Sequence, residues 1–207
     1  MKTIRNLFSH LRVTMEHRPR YNIAPSQEAP IVRQTANQLD LVPMVWGLVP
    51  AWSKEKNKGL INARSETVHE KPSFRDAFKN RRCLVPADGF IEWQKAGSNK
   101  IPHYFRLKSE GLFAFAGIWS ERPGDTAPHL TYSILTTECN TLVQPTHHRM
   151  PVILPPENYA AWLNDLTGPE ALKALLHPFP AAEMESFVLS QEINSAKNDH
   201  PSCLLPV

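Results

Sequence analysis

The sequence predicts an α+β fold: a β-rich single domain over residues 1–207, with a mostly antiparallel, barrel-like sheet core and peripheral helices. Three observations carry that reading. The chain has 207 residues, the size of one medium domain. Apolar residues make up 42% and charged residues 21%, a balance that supports a packed core and excludes a disordered chain. Strand-like runs bounded by turn residues recur through the middle at intervals of about ten residues, the spacing of an antiparallel sheet or barrel. The nineteen prolines argue against long uninterrupted helices.

The elements follow in order. The first nineteen residues predict a helix carrying Leu7, Leu11 and Val13. Strands are expected at 31–34, 41–48, 84–86, 90–94, 102–107, 112–119 and 130–136, each rich in β-branched, aromatic or other apolar residues. Lys95-Ala96-Gly97-Ser98-Asn99 joins two of these runs as a hairpin turn. Ser73, with Asp76 in the first turn, predicts a helix start. Phe74, Ala77 and Phe78 form its inward face, and Arg75, Lys79 and Arg82 fall at i, i+4 and i+7 on another. A short helix is expected over 157–164. Thr167-x-x-Glu170 reads as a capping box opening a last helix with Leu172, Leu175 and Leu176 inward.

Several function classes drop out. No apolar run approaches the ~20 residues of a membrane-spanning helix, and the opening MKTIRNLFSHLRV carries no secretion signal. With eight glycines, the chain has neither GxGxxG nor GxxxxGK phosphate loops. Cys83, Cys139 and Cys203 form no CxxC, which excludes a zinc site built from cysteines and argues for a reducing, cytoplasmic setting. No HxxxH or HExxH occurs, so no metal and no organic cofactor is expected. Charge is distributed unevenly. Residues 1–110 hold 19 Lys and Arg against 10 Asp and Glu, and residues 111–207 hold 4 against 10. Such asymmetry fits a phosphate-bearing partner for the basic half, or a basic half packed on an acidic one.

The candidate chemistry is concentrated in a few side chains. Glu92 lies among Phe90, Ile91 and Trp93 in an expected strand. A carboxyl partly withdrawn from water there would have a raised pKa suited to proton transfer, whereas on an edge strand it would simply face solvent. His147 and His148 are adjacent, so on extended backbone one can line a site while the other faces away; both can equally be solvated loop residues. Asn62 and Arg64, two apart, share one side of a strand and can bind a phosphate or a sugar edge. Trp46, Trp52 and Trp93 are either base-stacking platforms or core residues. Cys83, between Arg82 and Leu84, reads as a buried thiol; paired with His147 it would make a cysteine hydrolase.

RYNIAP (20–25), WGLVPAW (46–52), INARSET (61–67), RRCLVPADGFIEW (81–93) and HHRMPVIL (147–154), in that order, resemble the SOS-response-associated peptidase family, whose domain processes abasic sites in DNA. The resemblance covers residues 20–207. It implies a β-rich fold wrapped by helices, and a monomer binding single-stranded DNA with a ring-opened abasic sugar, without a membrane partner. It implies catalytic roles for Glu92, His147 and Asn62, DNA-backbone contacts by Arg64 and Arg149, and Trp52 beside the bases. In the family a cysteine after the initiator methionine condenses with the sugar aldehyde into a thiazolidine cross-link, and self-cleavage removes only that methionine. This sequence opens Met1-Lys2-Thr3-Ile4-Arg5, with no cysteine before Cys83. The thiazolidine therefore lacks its thiol. An imine from the Met1 α-amine or Lys2, leading to strand cleavage by β-elimination, is the covalent route left. Non-covalent binding of single-stranded DNA is the alternative function.

Overall fold

The computed structural model describes residues 4–8, 10–14, 18–36, 38–53, 59–124 and 129–207. Met1 and Lys2, the two amines considered above, lie outside the described residues. The elements run α1 (Ile4–Leu7), β1 (Leu11–Val13), β2 (Glu28–Thr35), β3 (Gln38–Trp46), β4 (Asn62–Arg64), α2 (Arg75–Asn80), β5 (Arg82–Ala87), β6 (Phe90–Ala96), β7 (Asn99–Leu107), β8 (Phe113–Arg122), β9 (His129–Glu138), β10 (Arg149–Pro151), β11 (Ile153–Leu154), α3 (Tyr159–Leu163), α4 (Pro169–Ala174) and β12 (Met184–Val188). Every expected strand is found. The helices are short and peripheral, as the prolines require.

The larger sheet runs β1-β3-β2-β5-β8-β9-β10, and β3 pairs a second time with β9. That extra pairing bends the sheet back on itself into a partly closed ring. The smaller sheet is β12-β7-β6. Most pairs are antiparallel; β1 on β3, β3 on β9 and β4 on β9 are parallel.

Strand β8 shows how sequence becomes packing. Its alternating residues serve two cores: Ala114, Ala116 and Ile118 face one cluster, and Phe113 and Phe115 face the other. The small side chains leave room for the fully buried Trp162 of α3, whose indole N–H donates to the Cys83 carbonyl at 2.9 Å. The aromatic side fills the space beneath β6 and β7, where Phe90 stacks on Phe105 and meets Phe115 edge-on. Burying each such side chain is worth about 1.5–3 kcal/mol.

Four local expectations are corrected. The N-terminal segment is not one helix: Leu7 ends α1, while Leu11 and Val13 lie on β1 beside Leu39 and Leu41 of β3. No side chain caps α2, and Asp76 instead accepts from Asn80 and Arg81 at its far end. Arg82 is not on that helix surface but opens β5, buried. The capping box at Thr167 does not form, because Pro169 takes the first helical position and Gly168 caps; the Thr167 hydroxyl donates back to the Ala161 carbonyl at 2.7 Å. Among the described residues no helix is long and apolar enough to cross a membrane.

Candidate functional site

Glu92 is positioned by the two-residue alternation of β6. Ile91 packs on Tyr104, Leu189 and Ile193, and Trp93 donates its indole N–H to Asn194 at 2.7 Å. Those contacts fix one face of the strand on the C-terminal segment. Phe90, Glu92 and Gln94 form the other face. Burial pushes the Glu92 carboxyl above the usual carboxylate range, and the nearby charge of His147 offsets part of that rise.

His147 reaches the same place from a different part of the chain. Asn140 Oδ1 accepts from the backbone N–H groups of Leu142 and Val143 at 3.1 and 3.0 Å, starting a compact turn. The backbone N–H of His147 donates to the Val143 carbonyl at 3.0 Å and closes it. The ring then stands with Nδ1 3.7 Å from Glu92 Oε1. Nδ1 also lies 2.9 Å from the Arg149 carbonyl and 3.2 Å from the Arg149 N–H. A protonated Nδ1 donates to the former and an unprotonated one accepts from the latter, so the ring keeps its orientation in either state. His148 does not point to the opposite side, as extended backbone would place it. Because 141–147 is a turn, the two rings lie side by side with centroids 4.5 Å apart.

Asn62 and Arg64 share a side of β4 as expected, both exposed, with Ala63 buried between them. Their strand runs parallel to β9, where Arg64 is level with Thr136. Arg149 converges on the same residue, donating to the Thr136 carbonyl and hydroxyl. Its other contacts are two parallel bonds to Glu66, of 2.7 and 2.9 Å. Arg64, Arg149, His148, Glu138, Cys139, Thr141 and Gln144 line an open cleft of about 410 Å³. With Arg149 paired to Glu66, the Arg64 guanidinium is the lining cation that can meet an anionic ligand, beside the imidazole of His148. Glu92 and His147 are not among the lining residues; His148 and Arg149, which follow His147 in the chain, are.

The tryptophans separate cleanly. Trp46 donates to the Ile61 carbonyl and stacks on Tyr132, and Trp93 is held by Asn194. Trp52, 68% exposed, presents its ring to solvent and is not among the residues that line the cleft. Cys83 is fully buried and would be struck by any side chain at Gly117; burial drives its thiol pKa up. It cannot serve as the nucleophile of a hydrolase.

The sequence reading missed four participants: Glu66, Gln94, His103 and the pair Asn22 and Asp199. Asn22 Nδ2 donates to the carbonyls of Ile193, Ser195 and Asn198. Asp199 accepts from the backbone of Tyr21 and Asn22 and pairs with Arg20. RYNIAP thus acts as a clasp for the C-terminal segment behind β6. Nothing in the local sequence marks these roles, which arise only from strand register and chain closure. The same segment brings ligand atoms of Glu192, His200 and Cys203 within 4.8 Å of one another. These are three donors where a closed zinc site has four, and His200 Nδ1 is bonded to the Ser202 hydroxyl.

Comparison with known proteins agrees with this architecture. The abasic site processing protein YoqW of Bacillus subtilis (strain 168) is 43% identical over 196 residues, covering 91% of this chain and 87% of that one. The chicken (Gallus gallus) abasic site processing protein HMCES is 33% identical over 228 residues, covering 92% of this chain and 67% of that one. A crystal structure of a Bacteroides thetaiotaomicron protein superposes with a TM-score of 0.79 at 33% identity, covering 88% of this chain and 82% of that one. A Bordetella bronchiseptica protein shares the fold, with a TM-score of 0.77 at 23% identity over 90% of this chain and 94% of that one. The family model for SOS response associated peptidase (SRAP) matches residues 1–196, and the chain belongs to that family.

Proposed function

We propose that this chain is an abasic-site processing protein of the DNA-damage response, acting in the cytoplasm as a single-domain monomer on single-stranded DNA. The observation that carries the reading is the Glu92–His147 pair, with a desolvated carboxyl and an imidazole 3.7 Å apart, near the cleft lined by Arg64 and Arg149. Asn62 joins the Glu92–His147 pair at the damaged sugar, Arg64 and Arg149 contact the DNA backbone, and Trp52 stacks an adjacent base.

An abasic deoxyribose in its ring-opened form is an aldehyde with acidic protons on the neighbouring carbon. His147 assists ring opening by moving the proton between the ring oxygen and the hydroxyl. A primary amine of the chain, Met1 or Lys2, adds to the aldehyde and releases water as the imine forms. Glu92 takes a proton from the adjacent carbon, the electron pair moves into a new double bond, and the 3′ phosphate leaves. No metal enters these steps.

Sodium borohydride in the presence of an abasic oligonucleotide tests the scheme. A reduced adduct that survives denaturation is expected, together with strand cleavage without borohydride. The exposed Trp52 and Arg64 also suit a second reading, non-covalent binding of single-stranded DNA. Equal affinity for intact and abasic strands, with no adduct and no cleavage, would establish that reading instead.

A further inference from the structure

His147 belongs to a turn and Glu92 to a strand, and their side chains meet at a distance no covalent link fixes. One side chain joins the two supports. Gln94 lies two residues beyond Glu92 on the same face of β6. Its Nε2 donates to the carbonyl of Pro145 at 3.2 Å, two residues before His147. Its Oε1 is 3.3 Å from Nε2 of His103. His103 is the cross-strand partner of Glu92 on β7 and lies alongside Phe105, with ring centroids 6.3 Å apart. The contacts therefore close a circuit: Glu92, His103 across the ladder, Gln94, Pro145, His147 and back to Glu92.

We infer that Gln94 is a positioning residue, held by His103, that sets the separation of His147 from Glu92 by tying the 141–147 turn to β6. The amide is suited to this because it accepts from one partner and donates to the other. His103 anchors the acceptor end. A methionine at position 94 would fill the same volume and do neither. An exposed hydrogen bond contributes modestly to stability, whereas displacement of a reacting group by about 1 Å costs up to ~10²-fold in rate. The inference rests on the proposed roles of this pair at the abasic sugar, and its effect belongs in the chemical step.

The test compares Gln94→Met, His103→Phe and the unaltered chain in single-turnover cleavage of an abasic oligonucleotide, with affinity for the same oligonucleotide measured in parallel. Gln94→Met should lower the rate at saturating protein about tenfold or more, with Kd changed less than about twofold. His103→Phe keeps the Gln94–Pro145 bond and should lose less. A wild-type rate in Gln94→Met, or an equal loss of rate and affinity, overturns the inference. Hydrogen exchange on the full chain supplies a readout free of activity. The amides of Thr146 and His147 should exchange about tenfold faster in Gln94→Met, and unchanged protection there overturns the inference. If the unaltered chain neither cleaves nor cross-links, the proposed reaction fails, and the exchange measurement still decides whether Gln94 holds the turn.

Discussion

Glu66 grips Arg149 through two parallel hydrogen bonds of 2.7 and 2.9 Å, across 83 residues of sequence. The pair joins the segment after β4 to the start of β10 and neutralises a guanidinium that faces the cleft.

Loss of that pair should change DNA affinity more than stability. Glu66 is nearly half exposed, so Glu66→Gln should cost about 1 kcal/mol or less. Arg149, freed of its counter-charge, should bind a single strand more tightly at low salt, with a steeper dependence of affinity on salt. Arg149 lowers the Glu66 carboxyl below its ordinary value of 4.5. The pair's contribution is therefore full above that value and is lost as pH falls through the lower folded one. Acid unfolding of Glu66→Gln beside the unaltered chain checks the sign.

Glu92→Gln should abolish most of the chemistry and raise stability at neutral pH. Removal of a general base or acid costs roughly 10²–10⁴-fold, and affinity for DNA should stay within a few-fold. Burial raises the Glu92 carboxyl above 4.5. The stability tied to its protonated form is present below the ordinary value and lost as pH rises through the folded one. At pH 7 the variant, which carries no charge there, should melt above the unaltered chain, and the gap should close near pH 4. Thermal melts at both pH values read the result; a lower Tm at pH 7 would contradict the desolvated placement.

Arg64→Glu should weaken binding of every single-stranded sequence alike and reduce the salt slope by roughly one counterion. Titrations with two unrelated oligonucleotides at three salt concentrations check this. A loss confined to one sequence would contradict a backbone role.

Arg82→Met should destabilise the fold while leaving any surviving activity normal. The buried guanidinium donates to the carbonyls of Trp162 at 2.7 Å, Phe78 at 2.9 Å and Asn164 at 2.9 Å, and pairs with Asp165. Its removal leaves carbonyls at the ends of α2 and α3 without donors, a loss of about 3 kcal/mol. For a chain of this size that lowers Tm by about 6–12 °C.

The strands were legible because each combines apolar alternation with turn residues at its ends, β6 and β7 most plainly through Gly97 and Ser98 between them. Strands β4, β10 and β11 span two or three residues, too few for any periodicity to show. Helix starts were misread where proline decided, as at Pro169. Glu92, Asn62 and Arg64 could be picked out because their residue types stand out against apolar neighbours. The meeting of Glu92 with His147 needs the turn at Asn140, and Gln94 and His103 acquire meaning only through cross-strand register. A local pattern cannot encode a partner fifty residues away.

The clasp of Arg20, Tyr21 and Asn22 on Asp199 has a consequence for synthesis. The sheet that carries Glu92 gains its third strand, β12, only from residues 184–188, and the clasp that secures its back forms only when residue 199 has emerged. A nascent chain that has reached only residue 183 therefore carries the Glu92 sheet without its third strand and without the clasp behind it.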